Sequence, residues 1–234
     1  NKHKKNIIMN ILTVFTNYIK IGKTKKKTGY YLRELAYPYM ILKKNGHNID
    51  LCSPRGFKTK PDPLSLDYNN DQVIVDFYEN KKMQQKLDMT LHPGNLNKDY
   101  ECIVFCGGHG TMWDFPENIN LQKLTRNLYE NYGLIGAICH GSSIFANLKL
   151  SNGSYLVSEK KVSCFTNEEE EHLKLENVVP FLLESRLSNL GAKHSKAEKF
   201  EPHVEKDNRL ITAQNPASSE QFGNTLVDRL KYLN

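Results

Sequence analysis

The sequence predicts an α/β fold built on a mostly parallel sheet, and three observations carry that prediction. Short apolar runs rich in β-branched residues recur along the chain. Segments with helical spacing separate them, so strands and helices alternate. The runs are also apolar at nearly every position, as strands covered on both faces are. The chain has 234 residues, 39% of them hydrophobic, which suits one domain with a substantial core.

Ile7 to Thr16 (IIMNILTVFT) reads as a first, central strand. After a lysine-rich loop, Leu32, Leu35, Ala36, Tyr39 and Leu42 recur at helical spacing, with Gly46 as the stop. Pro38 falls inside that helix and predicts a kink or break, because proline lacks the N–H and crowds the preceding turn. His47 to Ser53 is a second strand. Pro54, Pro61 and Pro63 then interrupt regular structure, and Asp71 to Leu87 has room for one or two polar helices. Residues 54–100 therefore read as an inserted, cap-like region of the kind that shapes a site entrance. Tyr100 to Cys106 is a buried strand running into the Gly107-Gly108-His109-Gly110 turn. An amphipathic helix follows over Glu117 to Asn131, placing Leu121, Leu124, Leu128 and Tyr132 on one face. Gly133 to Ile138 is the next strand. Ser151 to Ser154 is a hairpin turn, Lys161 to Phe165 a strand, and Glu168 to Leu175 the start of a helix or loop. Phe181 to Leu190 is a helix closed by Gly191, Arg209 to Ala213 a late strand, and Ser218 to Leu233 a terminal helix. Residues 1–8 are expected to be a flexible basic segment, with Met9 a candidate native start, and residues 9–234 a single domain.

Composition removes several function classes. The net charge is +6, but the lysines are dispersed, and only Lys2 to Lys5 and Lys23 to Lys27 are dense. No recognition motif or aromatic-basic platform accompanies them, so no nucleic-acid partner is expected. No run of 18 apolar residues predicts a membrane span, and no signal-peptide core follows the basic start. The five cysteines lack metal-site spacing and fit free thiols in a reducing cytoplasm. His3, His47, His92, His172, His194 and His203 show no ligand spacing, so no metal is expected.

The stretch GLIGAICHGSSIF (133–145) ends a buried strand at Cys139 and His140. A strand that turns sharply with a nucleophile at the corner is a nucleophile elbow, and Ala137 and Gly141 are as small as such a corner requires. A helix starting there would place positive partial charge beside Cys139 and lower its thiol pKa. A buried, inert core cysteine is the competing reading. In a parallel sheet, sites gather beyond the C-terminal strand ends, where Thr16, Gly107-Gly108 and Cys139 should converge. Glycine leaves a backbone N–H unobstructed, so the turn at Gly107-Gly108 and the amide after the cysteine could form an oxyanion hole.

Taken together, TGYYLRELAYPY (28–39), FCGGHGTMWDFP (105–116), AICHG (137–141), SCFTNEEEE (163–171) and RLITAQNPAS (209–218) resemble the ThiJ/PfpI superfamily, which shares its fold with class I glutamine amidotransferases. The resemblance covers nearly the whole chain from Met9 onward. It points to the branch of heat-shock chaperones with glutathione-independent glyoxalase III activity. It implies a flavodoxin-like three-layer α/β/α sandwich. By position it implies Cys139 as nucleophile with His140 beside it, and Glu34 as the acid in contact with the sulfur. Glu170 would orient the histidine, although Glu168 to Glu171 are consecutive and a one-residue slip changes the choice. Gly108 and the His140 amide match the oxyanion-hole donors. Ser142 stands where many relatives have proline, and is expected to cap or enter a helix start. Trp113 is assigned to the pocket rim or a subunit contact.

The resemblance implies conversion of methylglyoxal or a related 2-oxoaldehyde to D-lactate or the matching 2-hydroxy acid. The route would run through a Cys139 hemithioacetal, without a cofactor, in a cytoplasmic homodimer. Alternatives are a holding chaperone, a redox sensor, a protein or nucleotide deglycase, and a peptidase. An amidotransferase is disfavoured because its histidine is distant in sequence from the cysteine.

Overall fold

The computed structural model describes residues 7–233. Most of the basic segment expected at 1–8, His3 included, lies outside the described residues. The central sheet contains β1 (Asn10–Val14), β2 (Asn48–Cys52), β3 (Cys102–Phe105), β4 (Leu134–Ile138), β7 (Val204–Asp207) and β8 (Leu210–Ala213). Their order is β2-β1-β3-β4-β8-β7. All neighbours are parallel except β7, which runs antiparallel to β8 at one edge. In register, Val14 stands beside Cys52 and Phe105, and Phe105 beside Ala137, so β1, β2, β3 and β4 end at one level.

Side chains alternate between two cores, one on each face of the sheet. Ile11, Val104 and Ile211 face a core shared with α1 (Leu32–Lys44), α2 (Gln72–Tyr78), α3 (Lys81–Asp88) and α8 (Ser219–Leu230). Leu12, Ile103, Phe105 and Ile135 face the other core, shared with α4 (Thr111–Asp114), α5 (Ile119–Glu130) and α7 (Leu183–Asn189). The three-layer sandwich follows directly from this continuous apolar patterning. β5 (Lys161–Val162) and β6 (Lys193–His194) form a separate two-stranded parallel sheet. α6 (Asn167–His172) follows β5.

Several expectations are corrected. α1 runs through Pro38 without a break. Gly223 of α8 sits so close to Pro38 and Ile41 that a methyl group there would crowd both, so α8 packs directly on this part of the helix. Tyr132 lies beyond the end of α5 in a left-handed conformation (φ 66) and is 77% exposed, so it does not extend the apolar face. β6 and β7 were not predicted: they are short, polar and intermediate in burial, without an apolar run to mark them.

Residues 54–100 supply α2 and α3, which pack through Ile74, Phe77, Met83 and Leu87 onto the α1 side. The segment also reaches the loop before α1: Tyr30 N donates to Lys60 O at 3.1 Å, and Asp62 N donates to Tyr30 O at 2.7 Å. A side chain at Gly29 would overlap this backbone, which explains a glycine immediately ahead of α1.

Candidate active site

β4 ends at Ile138, and Cys139 adopts φ 58, a left-handed conformation that costs a non-glycine residue roughly 1–2 kcal/mol. The chain then turns into a 3₁₀ helix over Cys139–Asn147. Gly141 permits the turn: a methyl group there would overlap the Phe105 carbonyl. The corner is thus tight in backbone terms, and the cysteine side chain is thrown out past the strand ends.

Cys139 Sγ lies 3.4 Å from His140 Nδ1. His140 Nε2 lies 2.7 Å from Glu170 Oε2. That contact fixes the tautomer, because an ionised carboxylate only accepts: Nε2 carries the proton and Nδ1 is left to face the sulfur. Glu34 approaches from α1 on the other side. Its Oε2 accepts from the Gly107 N–H at 2.8 Å, Oε1 is buried without a hydrogen-bond partner among the described residues, and the carboxyl interacts with the Cys139 side chain. A side chain at Gly107 would overlap Glu34 Oε2 and come within 2.9 Å of Cys139 Cβ. Gly108 has φ 109 and leaves no room for a side chain against the Gly29 carbonyl. Thr111 Oγ1 lies within hydrogen-bond distance of both the Gly108 carbonyl (2.9 Å) and the His140 carbonyl (2.8 Å), with one O–H to share between them, and so links the two turns whose amides were assigned to the oxyanion hole.

Burial governs the charges. It pushes the Glu34 carboxyl up to about 8, opposed by interactions with Cys139 and the Gly107 amide, so the group is protonated at neutral pH. Burial and the adjacent Glu34 hold the Cys139 thiol well above its ordinary range. The expected thiolate stabilised by a helix N-terminus is therefore corrected: the turn is 3₁₀, and desolvation outweighs the His140 amide that favours the anion. Burial and the neighbouring His109 lower the His140 imidazole despite Glu170. Glu170 is the exception. Contacts with His140 and His109 overcome its burial and hold it far below the usual carboxylate range. Tyr31, at the start of α1, is pushed up to about 12 by burial and then by Glu34 and Cys139, which marks it as a pocket neighbour.

The run of four glutamates is resolved by the orientation of α6. Glu170 faces His140, and Glu168 and Glu171 are exposed, Glu168 lying 3.8 Å from Lys199. Glu169 is buried but turns away. It forms a capping box with Thr166, and it accepts from Gln214 Nε2 (3.1 Å), Asn215 Nδ2 (2.9 Å) and the Phe200 amide (2.9 Å). Gln214 and Asn215 belong to the QNPAS block noted in the sequence, so that block anchors the helix bearing Glu170.

Ser142 is fully buried, makes no cap, and its Oγ has no partner among the described residues. Trp113 stacks on Tyr18 with ring centroids 5.4 Å apart. The sequence reading missed the His109 side chain, treating that residue only as part of a turn. Its Nε2 lies 2.6 Å from Glu170 Oε1, and its ring centroid is 4.0 Å from that of His140. A histidine inside the glycine turn that borders the site was the available signal.

His109, His140 and Glu170 offer ligand atoms within 4.8 Å of one another. The spacings of 2.6 and 2.7 Å are those of hydrogen bonds, whereas ligands around a tetrahedral zinc stand about 3.3 Å apart. The trio is built as a carboxylate shared by two imidazoles, and a metal does not fit it in this arrangement.

Residues 27–229 match the sequence model of the DJ-1/PfpI family. The chain belongs to the DJ-1/PfpI family. Among solved structures, the Francisella tularensis Rapid Encystment Protein 24 KDa is 37% identical, with a TM-score of 0.91, and the match covers 95% of this chain and 99% of that one. Candida albicans glyoxalase III is 25% identical with a TM-score of 0.86, covering 94% and 97% of the two chains. The Saccharomyces cerevisiae glutathione-independent glyoxalase HSP31 is 29% identical over 214 residues, 88% of this chain and 90% of that protein. Within this DJ-1/PfpI member, no helix among the described residues is long and apolar enough to cross a membrane.

Proposed function

We infer that this DJ-1/PfpI protein is a glutathione-independent glyoxalase that converts methylglyoxal, or a similar 2-oxoaldehyde, to the corresponding 2-hydroxy acid, D-lactate in the case of methylglyoxal. The names of its relatives supply the substrate class. The observation that carries the chemistry is Cys139 at a strained elbow, with His140 Nδ1 at 3.4 Å and a buried acid, Glu34, interacting with its thiol.

The aldehyde carbon is attacked by the Cys139 sulfur as its proton passes to His140 Nδ1. The imidazolium that forms is balanced by Glu170, already ionised at 2.7 Å. The Gly108 and His140 amides receive the developing oxyanion, which then takes a proton to give the hemithioacetal. A base next removes the proton from that carbon, and the electron pair moves to the neighbouring carbonyl, giving an enediol. Reprotonation at the second carbon leaves a thioester. The first carbon is oxidised and the second reduced within one molecule, so no external redox partner enters. Water cleaves the thioester, releasing the acid and restoring the thiol. Glu34, whose carboxyl titrates at about 8, is matched to taking and returning a proton near physiological pH, and His140 is the other candidate.

The test is incubation of the purified protein with methylglyoxal alone, without glutathione, followed by an enantiomer-specific lactate assay. D-lactate formation that disappears in Cys139→Ala is expected. Turnover by a folded Cys139→Ala protein at the wild-type rate would overturn the assignment.

A further inference from the structure

The two oxygens of Glu170 are divided between two histidines. Oε2 faces His140 Nε2 at 2.7 Å, and Oε1 faces His109 Nε2 at 2.6 Å. The histidines come from different turns, His140 after β4 and His109 after β3, and their rings lie against each other with centroids 4.0 Å apart. Phe165 covers them, at 4.3 Å from His140 and 5.8 Å from His109. The site thus holds one negative charge and two imidazoles competing for it. They are not equivalent: the His140 side chain is 1% exposed and that of His109 11%.

We propose that His109 is a positioning residue that controls His140 through the shared carboxylate. Its Nε2–H donates to Oε1 and pins Glu170 in the orientation that keeps His140 with Nδ1 open toward Cys139. Glu169, the adjacent carboxylate on α6, is held by its own donors and turned away, so Glu170 is the carboxylate that the two rings share.

This inference rests on the glyoxalase reading for its kinetic test but not for its chemical one. His109→Gln keeps an N–H that can reach Glu170, whereas His109→Leu has none. Two profiles against pH are measured for each: kcat/KM with methylglyoxal, and the rate of Cys139 alkylation by iodoacetamide, which needs no turnover. His109→Leu is expected to lose roughly 10- to 100-fold in both at pH 8, as a general base does when its orientation is relaxed. His109→Gln is expected to recover most of that loss, because it restores a donor to Glu170. No recovery in His109→Gln, or wild-type rates in His109→Leu, overturns the proposal. So does unfolding of both variants, since the fold would then need His109 for itself. If wild-type protein makes no lactate, the glyoxalase reading fails, and the alkylation profiles alone decide the role of His109.

Discussion

Glu169 and Glu170 are adjacent, buried and on the same turn of α6, yet the structure assigns them opposite consequences. Glu169 accepts five hydrogen bonds, from the Thr166 amide and hydroxyl, Gln214, Asn215 and the Phe200 amide. Bonds to a charged group contribute roughly 1.5–3 kcal/mol each in isolation, but the donors share one carboxylate and are not additive. The better guide is the loss of a buried charged partner, about 3–5 kcal/mol. At about 2–4 °C per kcal/mol for a domain of this length, Glu169→Ala should lower Tm by roughly 6–20 °C. Glu170→Ala leaves two neutral imidazole N–H groups unpaired, one of which can turn to water, for about 1–3 kcal/mol. Its kcat/KM at 25 °C should nevertheless fall by about 100-fold or more, because His140 loses its orientation and counter-charge. Glu169→Ala that remains folded should stay within about tenfold of wild type. Its Glu170 is still held by its backbone bond to the Thr166 carbonyl at 3.0 Å. Calorimetry and methylglyoxal kinetics on the same preparations check the pair. Equal losses of Tm and activity in the two variants, or the reverse ranking, would refute the division of labour.

Three further outcomes are expected. Cys139→Ala should abolish 2-oxoaldehyde turnover with little change in circular dichroism, whereas Ala at Cys52, Cys102, Cys106 or Cys164, all buried free thiols, should leave turnover largely intact. Gly107→Ala, whose new methyl group would overlap Glu34 Oε2, should lose both activity and stability, as read by kinetics and thermal melts. The folded pKa of Glu34 is raised above its unfolded value of 4.5 to about 8, so the folded state binds the extra proton between them. Stability from this group is complete below 4.5 and is lost as pH rises through about 8, on the order of 5 kcal/mol in all, and Glu34→Gln should flatten that decline in denaturant titrations while cutting turnover strongly.

The central strands and the order of elements were legible because burial on both faces leaves an unbroken apolar run, as in CIVF and LIGAI. The elbow was legible because a small-residue corner around Cys139 has few other uses. Four identical glutamates carry no phase of their own, so the choice of Glu170 rested on the resemblance; the Thr166 capping box and the Gln214, Asn215 and Phe200 donors to Glu169 set which of them turns inward. The uninterrupted helix through Pro38 was hidden for a different reason, since proline in a helix interior ordinarily breaks or kinks it. His109 was hidden because a histidine in a glycine-rich turn has no periodicity to place its ring. Its partnership with Glu170 spans 61 residues.

The charge pattern also bears on how a buried cysteine can act as a nucleophile. Burial favours the neutral form of Cys139, Glu34 and His140, and Glu170 stays ionised because two imidazoles donate to it. The resting pocket therefore contains a thiol rather than a preformed thiolate. In the proposed reaction, sulfur attack and proton transfer to His140 create a positive charge beside Glu170 and a negative one at the former carbonyl oxygen. Each new charge arises where a counter-group is already fixed: Glu170 for the imidazolium, the Gly108 and His140 amides for the oxygen. Charge separation in a dry site is costly without such groups, so their removal should depress turnover more than substrate binding.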